Sequence, residues 1–235
     1  MRLNKTFDTN LVKHLELQNK DLAFDVGAYT GDSIPGIRSL GYKHIVCFEP
    51  DPKNFSTLQS NYGKDKDITL VQKAVSNTDN SIIKMYSTRN LPFLNTLSKD
   101  WITETRHKQF YRPNQFEEFD VETITLDTFT KSLGKTPSYV KIDVEGHEYQ
   151  VLDGMESFAQ PELLSFEYIS EKVSDNLSCI MQAHLLGFAQ FTICIEEEIP
   201  RSDAIWLDYT NTGRTLISLK ENDKDNNLGG NIFCK

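Results

Sequence analysis

The chain has no GxxxxGK[ST] phosphate loop, and no two glycines spaced as GxG after an apolar run. The first absence argues against an ATP or GTP enzyme. The second argues against a dinucleotide, whose pyrophosphate needs close backbone approach. No apolar run approaches the length of a membrane span, and the polar stretch 1–9 lacks the core of a signal peptide. A soluble cytoplasmic protein is the expectation. Positive charge is also short: 25 Lys and Arg stand against 34 Asp and Glu, for a net charge of −9. That balance disfavours a nucleic-acid backbone or an anionic membrane as principal partner. Cysteine is sparse, and the four present, Cys47, Cys179, Cys194 and Cys234, lie far apart. Three of them sit in apolar strand-like settings, so buried thiols are expected in place of a disulfide or a zinc site.

What the chain does have is Phe24-Asp25-Val26-Gly27-Ala28-Tyr29-Thr30-Gly31-Asp32, followed by Phe48-Glu49-Pro50. Residues 21–26 read as a short buried strand, and Gly27 to Gly31 as a tight turn running into a helix. Glycine tolerates positive φ and lets the backbone approach a ligand without a Cβ in the way. About twenty residues on, Glu49 ends a second apolar strand, 44–48, where a doubly wound fold places an acid to hold ribose hydroxyls. Asp25 before the turn would repel phosphate and suits a cationic or zwitterionic ligand. S-adenosylmethionine meets these conditions, with a positive amino group and sulfonium, no phosphate, and a ribose diol for Glu49.

Along the chain, strand patterns alternate with helical ones. A helix is expected over 10–18 within an N-terminal extension, 1–20. Helices follow over 34–40, 53–62, 126–133, 148–157 and 174–186, and strands over 68–75, 81–86, 121–124, 138–142, 163–167, 188–195 and 232–234. Such alternation predicts a mostly parallel, doubly wound α/β sheet in a single domain, 1–235, with the last two strands antiparallel. Two stretches break the rhythm. Residues 87–118, with Arg89, Trp101, Arg106, His107, Phe110, Tyr111, Arg112 and Phe116, read equally as a lid or acceptor-binding insertion and as a helical excursion. Residues 196–230 read as a polar insertion, and Glu196-Glu197-Glu198 as a solvated face.

The second dense cluster is Lys141-Ile142-Asp143-Val144-Glu145-Gly146-His147-Glu148. Ligands in an open parallel sheet sit beyond the carboxyl ends of strands, which brings Asp143 and Glu145 close to Asp25 and Glu49. Acids gathered at one sheet edge repel one another unless a cation or protons offset them. Glu148 is accounted for by the start of a helix, where the macrodipole favours acids.

Together with Thr125-Leu126-Asp127, Val151-Leu152-Asp153-Gly154 and Phe166-Glu167, these motifs resemble the FkbM family of methyltransferases over roughly residues 20–170. The resemblance implies a seven-stranded, Rossmann-like class I methyltransferase fold with S-adenosylmethionine as donor. It also implies a hydroxyl acceptor on a sugar, a glycan or a glycosylated product. By position, Asp25, Gly27 and Gly31 would surround the methionine part, with Ala28 and Tyr29 in the same turn. Glu49, followed by Pro50, would hold the ribose, and Lys73-Ala74-Val75 would lie by the adenine. Asp143 would stand near the transferring methyl group.

Methylating a hydroxyl calls for a general base or a metal to lower its pKa. Asp143, His147 and Glu145 are the candidates for the base. Asp143→Asn or His147→Ala is then expected to abolish turnover while sparing cofactor binding. Asp143 holding Mg²⁺ with one or two other acids is the alternative, and spacing does not separate the two. An N-methyltransferase, a small-metabolite methyltransferase and a non-catalytic binding module are the competing functions. A homodimer is the assembly kept in view.

Overall fold

The computed structural model describes residues 17–88, 90–111, 116–156, 160–195, 204–225 and 228–235. Nearly all of the expected helix 10–18 lies outside these residues, as do Arg89, Arg112 and Glu196-Glu197-Glu198. Ten strands and seven α-helices are described. The strands are β1 (Leu22–Val26), β2 (His44–Phe48), β3 (Ile68–Val71), β4 (Ala74–Val75), β5 (Ile82–Thr88), β6 (Phe116–Ile124), β7 (Tyr139–Ile142), β8 (Leu163–Ile169), β9 (Phe191–Ile195) and β10 (Gly229–Cys234). The helices are α1 (Ile34–Ser39), α2 (Pro52–Tyr62), α3 (Lys99–Glu104), α4 (Leu126–Leu133), α5 (Glu148–Asp153), α6 (Val173–Leu185) and α7 (Tyr209–Asn222).

Seven strands form one sheet in the order β3-β2-β1-β7-β8-β10-β9. The first five run parallel, and β10 pairs antiparallel with both β8 and β9. Period-two alternation divides the core between the two faces. Phe24, Val26, Phe48, Val140, Ile142 and Phe166 pack with Leu126, Val151, Leu152 and Ile180 from α4, α5 and α6. Ala23, Ile45, Cys47, Tyr139 and Leu163 pack on the other side with Ile34, Ile37 and Leu58 from α1 and α2. The expected doubly wound sheet is therefore present. Strand order reverses between β1 and β7, and that reversal opens a crevice beyond their carboxyl ends.

Three expectations change. The strand expected over 68–75 breaks at Gln72-Lys73: β3 edges the large sheet, while β4 pairs with β6 at Ala74↔Thr123. The strand expected over 81–86 is β5, which pairs antiparallel with β6 along seven residues and so belongs to a second, three-stranded sheet in place of the single sheet expected. Within the polar stretch 196–230, Asp208 caps α7 by accepting the Asn211 N–H at 2.7 Å. That helix packs on α6. All four cysteines are buried, and none is in a disulfide. Among the described residues, no helix is long and apolar enough to cross a membrane.

Candidate active site

The turn after β1 is shaped by close approach. Gly27 has φ +84°, and a Cβ there would lie 1.8 Å from the Asp143 carbonyl oxygen. No other residue fits without moving the β7 loop. The Gly27 and Ala28 N–H groups both donate to the Phe48 carbonyl at 3.0 Å, tying the turn to the end of β2. Tyr29, itself at φ +51°, donates its N–H to Glu49 Oε2 at 2.9 Å. The Asp51 N–H donates to Glu49 Oε1 at 2.8 Å. Glu49 is thus aimed by one N–H from each flank while facing the cleft. It is only 4% exposed, and burial pushes its carboxyl up to about 8.

Not every residue of the first motif reaches this space. Asp25 is fully buried behind the cleft floor, where it accepts a hydrogen bond from Ser33 Oγ. Burial raises its pKa, and Lys141 opposes that shift. Lys141 Nζ lies 3.6 Å from Asp25 and 3.1 Å from Asp143, so one ammonium bridges the acids on neighbouring strands. Lys141 was legible in principle, because it pairs in register with Asp25 and sits two residues before Asp143 on the same strand face. Ala28 packs into the core beside α1 and α2. Gly31 packs against Tyr62, whose ring would meet an added Cβ at 2.4 Å.

The opposite rim is the loop after β7. Glu145 stands at φ +53° and Gly146 at φ +93°. Glu148 folds back to accept the Val144 N–H at 3.1 Å and the Gly146 N–H at 3.0 Å. Burial, with Glu167 adding repulsion, pushes the Glu148 carboxyl up to about 8. Carboxylate oxygens of Asp143, Glu145 and Glu167 lie within 4.8 Å of one another. His147 points elsewhere. Its Nε2 is 3.0 Å from Ser76 Oγ, at the end of β4, and burial pulls its pKa down to about 4. It does not line the cleft.

Between these rims lies a partly open cleft whose walls come from both of them. Of the expected cofactor residues, Gly27, Tyr29, Glu49, Pro50, Ala74 and Asp143 line it, and Asp25, Ala28 and Gly31 stand behind it. Of the candidate bases, Asp143 and Glu145 line it. The roof comes from Pro92, Phe93, Asn95, Thr96 and Leu97, which the motifs did not single out. Phe93 meets the Tyr29 ring edge-on at 6.4 Å. Asn95 Nδ2 donates to Asp51 Oδ2 at 2.7 Å, and Asn54 Nδ2 donates to the Pro92 carbonyl at 3.2 Å.

Residues 25–184 match the methyltransferase FkbM domain, well over half of the 235-residue chain. The chain belongs to the FkbM methyltransferase family. It is accordingly an S-adenosylmethionine-dependent methyltransferase by family. Solved structures similar to it include a precorrin-6y C5,15-methyltransferase from Geobacter metallireducens, at 11% identity and TM-score 0.47, covering 95% of this chain and 83% of that one. A precorrin-8w decarboxylase from Methanobacterium thermoautotrophicum shares 13% identity at TM-score 0.48, covering 96% and 87%. Aeropyrum pernix fibrillarin, solved with natively bound S-adenosyl-L-methionine, shares 9% at TM-score 0.44, covering 97% and 73%. A search of curated proteins finds no significant match.

Proposed function

We propose that this FkbM methyltransferase methylates a hydroxyl of a sugar, a glycan or a glycosylated product. The observation that carries the reading is the opposition, across one cleft, of Glu49 at the end of β2 and the Asp143–Glu145 carboxylates beyond β7. A buried acid held by two backbone N–H groups keeps further lone pairs for a ribose diol. The Gly27 cradle gives backbone approach next to it, and Pro50 and Ala74 offer an apolar wall for a base. S-adenosylmethionine, when bound, supplies an electrophilic methyl group on a sulfonium.

The chain's own part is to position, to exclude water and to move one proton. We assign proton acceptance from the acceptor hydroxyl to Glu145, which lines the cleft. Asp143, braced by Lys141, would orient the ligand's cationic end. His147 is left out of this assignment because its ring is engaged with Ser76. Four buried cysteines outside any disulfide accord with a reducing, cytoplasmic setting. The convergence of three carboxylates favours one second reading, an amine acceptor methylated on nitrogen.

Calorimetric titration with S-adenosylhomocysteine, followed by a radiolabelled methyl-transfer screen of free sugars, glycans and primary amines, tests both. Binding with transfer to hydroxyl acceptors supports the proposal. Transfer to amines alone replaces it with the second reading. No binding sinks both.

A further inference from the structure

We infer that the stretch 96–107, far from the family motifs in sequence, positions Glu145 through Thr96, Trp101 and His107. The inference rests on the proposed role of Glu145. Glu145 occupies the left-handed region, which a side-chain-bearing residue adopts only when its surroundings impose it. Thr96, fully buried, donates its hydroxyl to the Glu145 carbonyl at 2.5 Å, across 49 residues of sequence. The same hydroxyl accepts the Ser98 N–H at 2.9 Å, so its direction is set from both sides. Thr96 is itself fixed by exchanging backbone hydrogen bonds with Tyr86 at 2.8 and 3.0 Å.

Trp101 then closes on the next residue. A Cβ at Gly146 would lie 2.5 Å from its ring. His107 meets the Trp101 ring edge-on at 5.1 Å and brings Nδ1 to 3.8 Å from Glu145 Oε2. Both His107 and Glu145 are shielded, with side chains 15% and 5% exposed. The far end of the stretch is anchored independently of Glu145. Arg106 donates its N–H to Glu171 at 2.6 Å, and its guanidinium donates to the Leu228 carbonyl at 3.0 Å. Three side chains from one excursion therefore converge on two consecutive residues of the β7 loop: one holds the backbone, one blocks its retreat, and one faces the carboxylate. Thr96 and His107 are positioning residues in this arrangement.

The test needs no acceptor. Imidazole signals of ¹³C-histidine-labelled protein are followed against pH, with His107→Asn identifying the His107 signal. Asp143, Glu167, Arg106 and Glu171, the other charged groups about this corner, are unchanged in every other variant. Glu145→Gln removes the facing negative charge, so His107 should titrate at a pH lower by about half a unit or more. Thr96→Val should move the same titration, and Thr96→Ser should restore it. A His107 titration indifferent to Glu145→Gln, or identical in Thr96→Val and Thr96→Ser, overturns the inference.

A separate titration with S-adenosylhomocysteine isolates the underlying reading. The wild type is expected to bind it. Failure of the wild type to bind would count against the methyltransferase cleft and leave the histidine result standing on its own.

Discussion

The two rims of the cleft are built by different means. On the β1–β2 side every contact that aims Glu49 comes from its own neighbourhood: the Tyr29 N–H, the Asp51 N–H and the turn that Gly27 permits. On the β7 side the aiming contacts on Glu145 come from Thr96 and His107, on an excursion that bypasses the large sheet. A locally built rim can serve any reaction that uses the same nucleoside ligand. A rim built by an excursion can be reshaped without touching the cofactor end. On the proposed reading, Glu49 on the first rim and Asp143 on the second hold the cofactor, and Glu145 on the second serves the acceptor.

Breaking the first rim should have the largest effect. Gly27→Ala places a Cβ where the Asp143 carbonyl stands, in a region of φ that alanine avoids. A destabilisation of about 3 kcal/mol or more is expected. Thermal unfolding checks it, and a melting temperature within a degree or two of wild type would refute the close approach.

Next comes Glu49→Gln, which keeps the shape and removes one acceptor. Measured above pH 8, where the carboxylate has formed, affinity for S-adenosylhomocysteine should fall about 30- to 100-fold, as for loss of strong hydrogen bonds to a charged group, with folding largely retained. Its pH dependence carries a sign. Glu49 is raised to about 8 when folded, above the value of about 4.3 expected unfolded. Between those values the folded state holds a proton that the unfolded state has released, so stability falls as pH rises from about 4 to about 8. Glu148, also raised to about 8, acts in the same direction. The apo protein should melt at progressively lower temperature across this window, and Glu49→Gln should flatten part of the slope. Ligand affinity should move the opposite way, strengthening towards pH 8 as the carboxylate forms. A wild-type melting temperature flat across the window would remove Glu49 and Glu148 as its source.

How much of each rim was legible follows from the same difference. Glu49 could be found because it ends an apolar run about twenty residues after the glycine turn, the spacing at which a doubly wound fold places its ribose-holding acid. Asp143 and Glu145 were legible as positions beyond a strand end, but nothing near them in sequence signals Thr96 or His107. Hydrogen bonds across 49 residues leave no local periodicity. The division of 68–75 was hidden for the same reason, since the apolar pattern runs on while the pairing partner changes from β2 to β6. Helix α7 was missed because its buried positions include Thr212 and Gly213, and only Leu216 supplies a large buried apolar side chain.

His147 gives the smallest expected effect and the sharpest contrast within the second rim. Read from sequence it was a natural base, because histidine titrates near neutrality. The fold turns it towards Ser76, and burial lowers its pKa to about 4, so at neutral pH it is an uncharged ring outside the cleft. His147→Ala should therefore cost about 1 kcal/mol of stability through the lost hydrogen bond. Methyl transfer should fall less than about threefold, whereas Glu145→Gln should slow it about a hundredfold or more, the lower range for removing a general base. The two variants assayed side by side on one hydroxyl acceptor decide which residue of the loop takes the proton. If His147→Ala is the slower of the two, the cleft geometry has been assigned the wrong base, and the β7 rim must rearrange when its ligands bind.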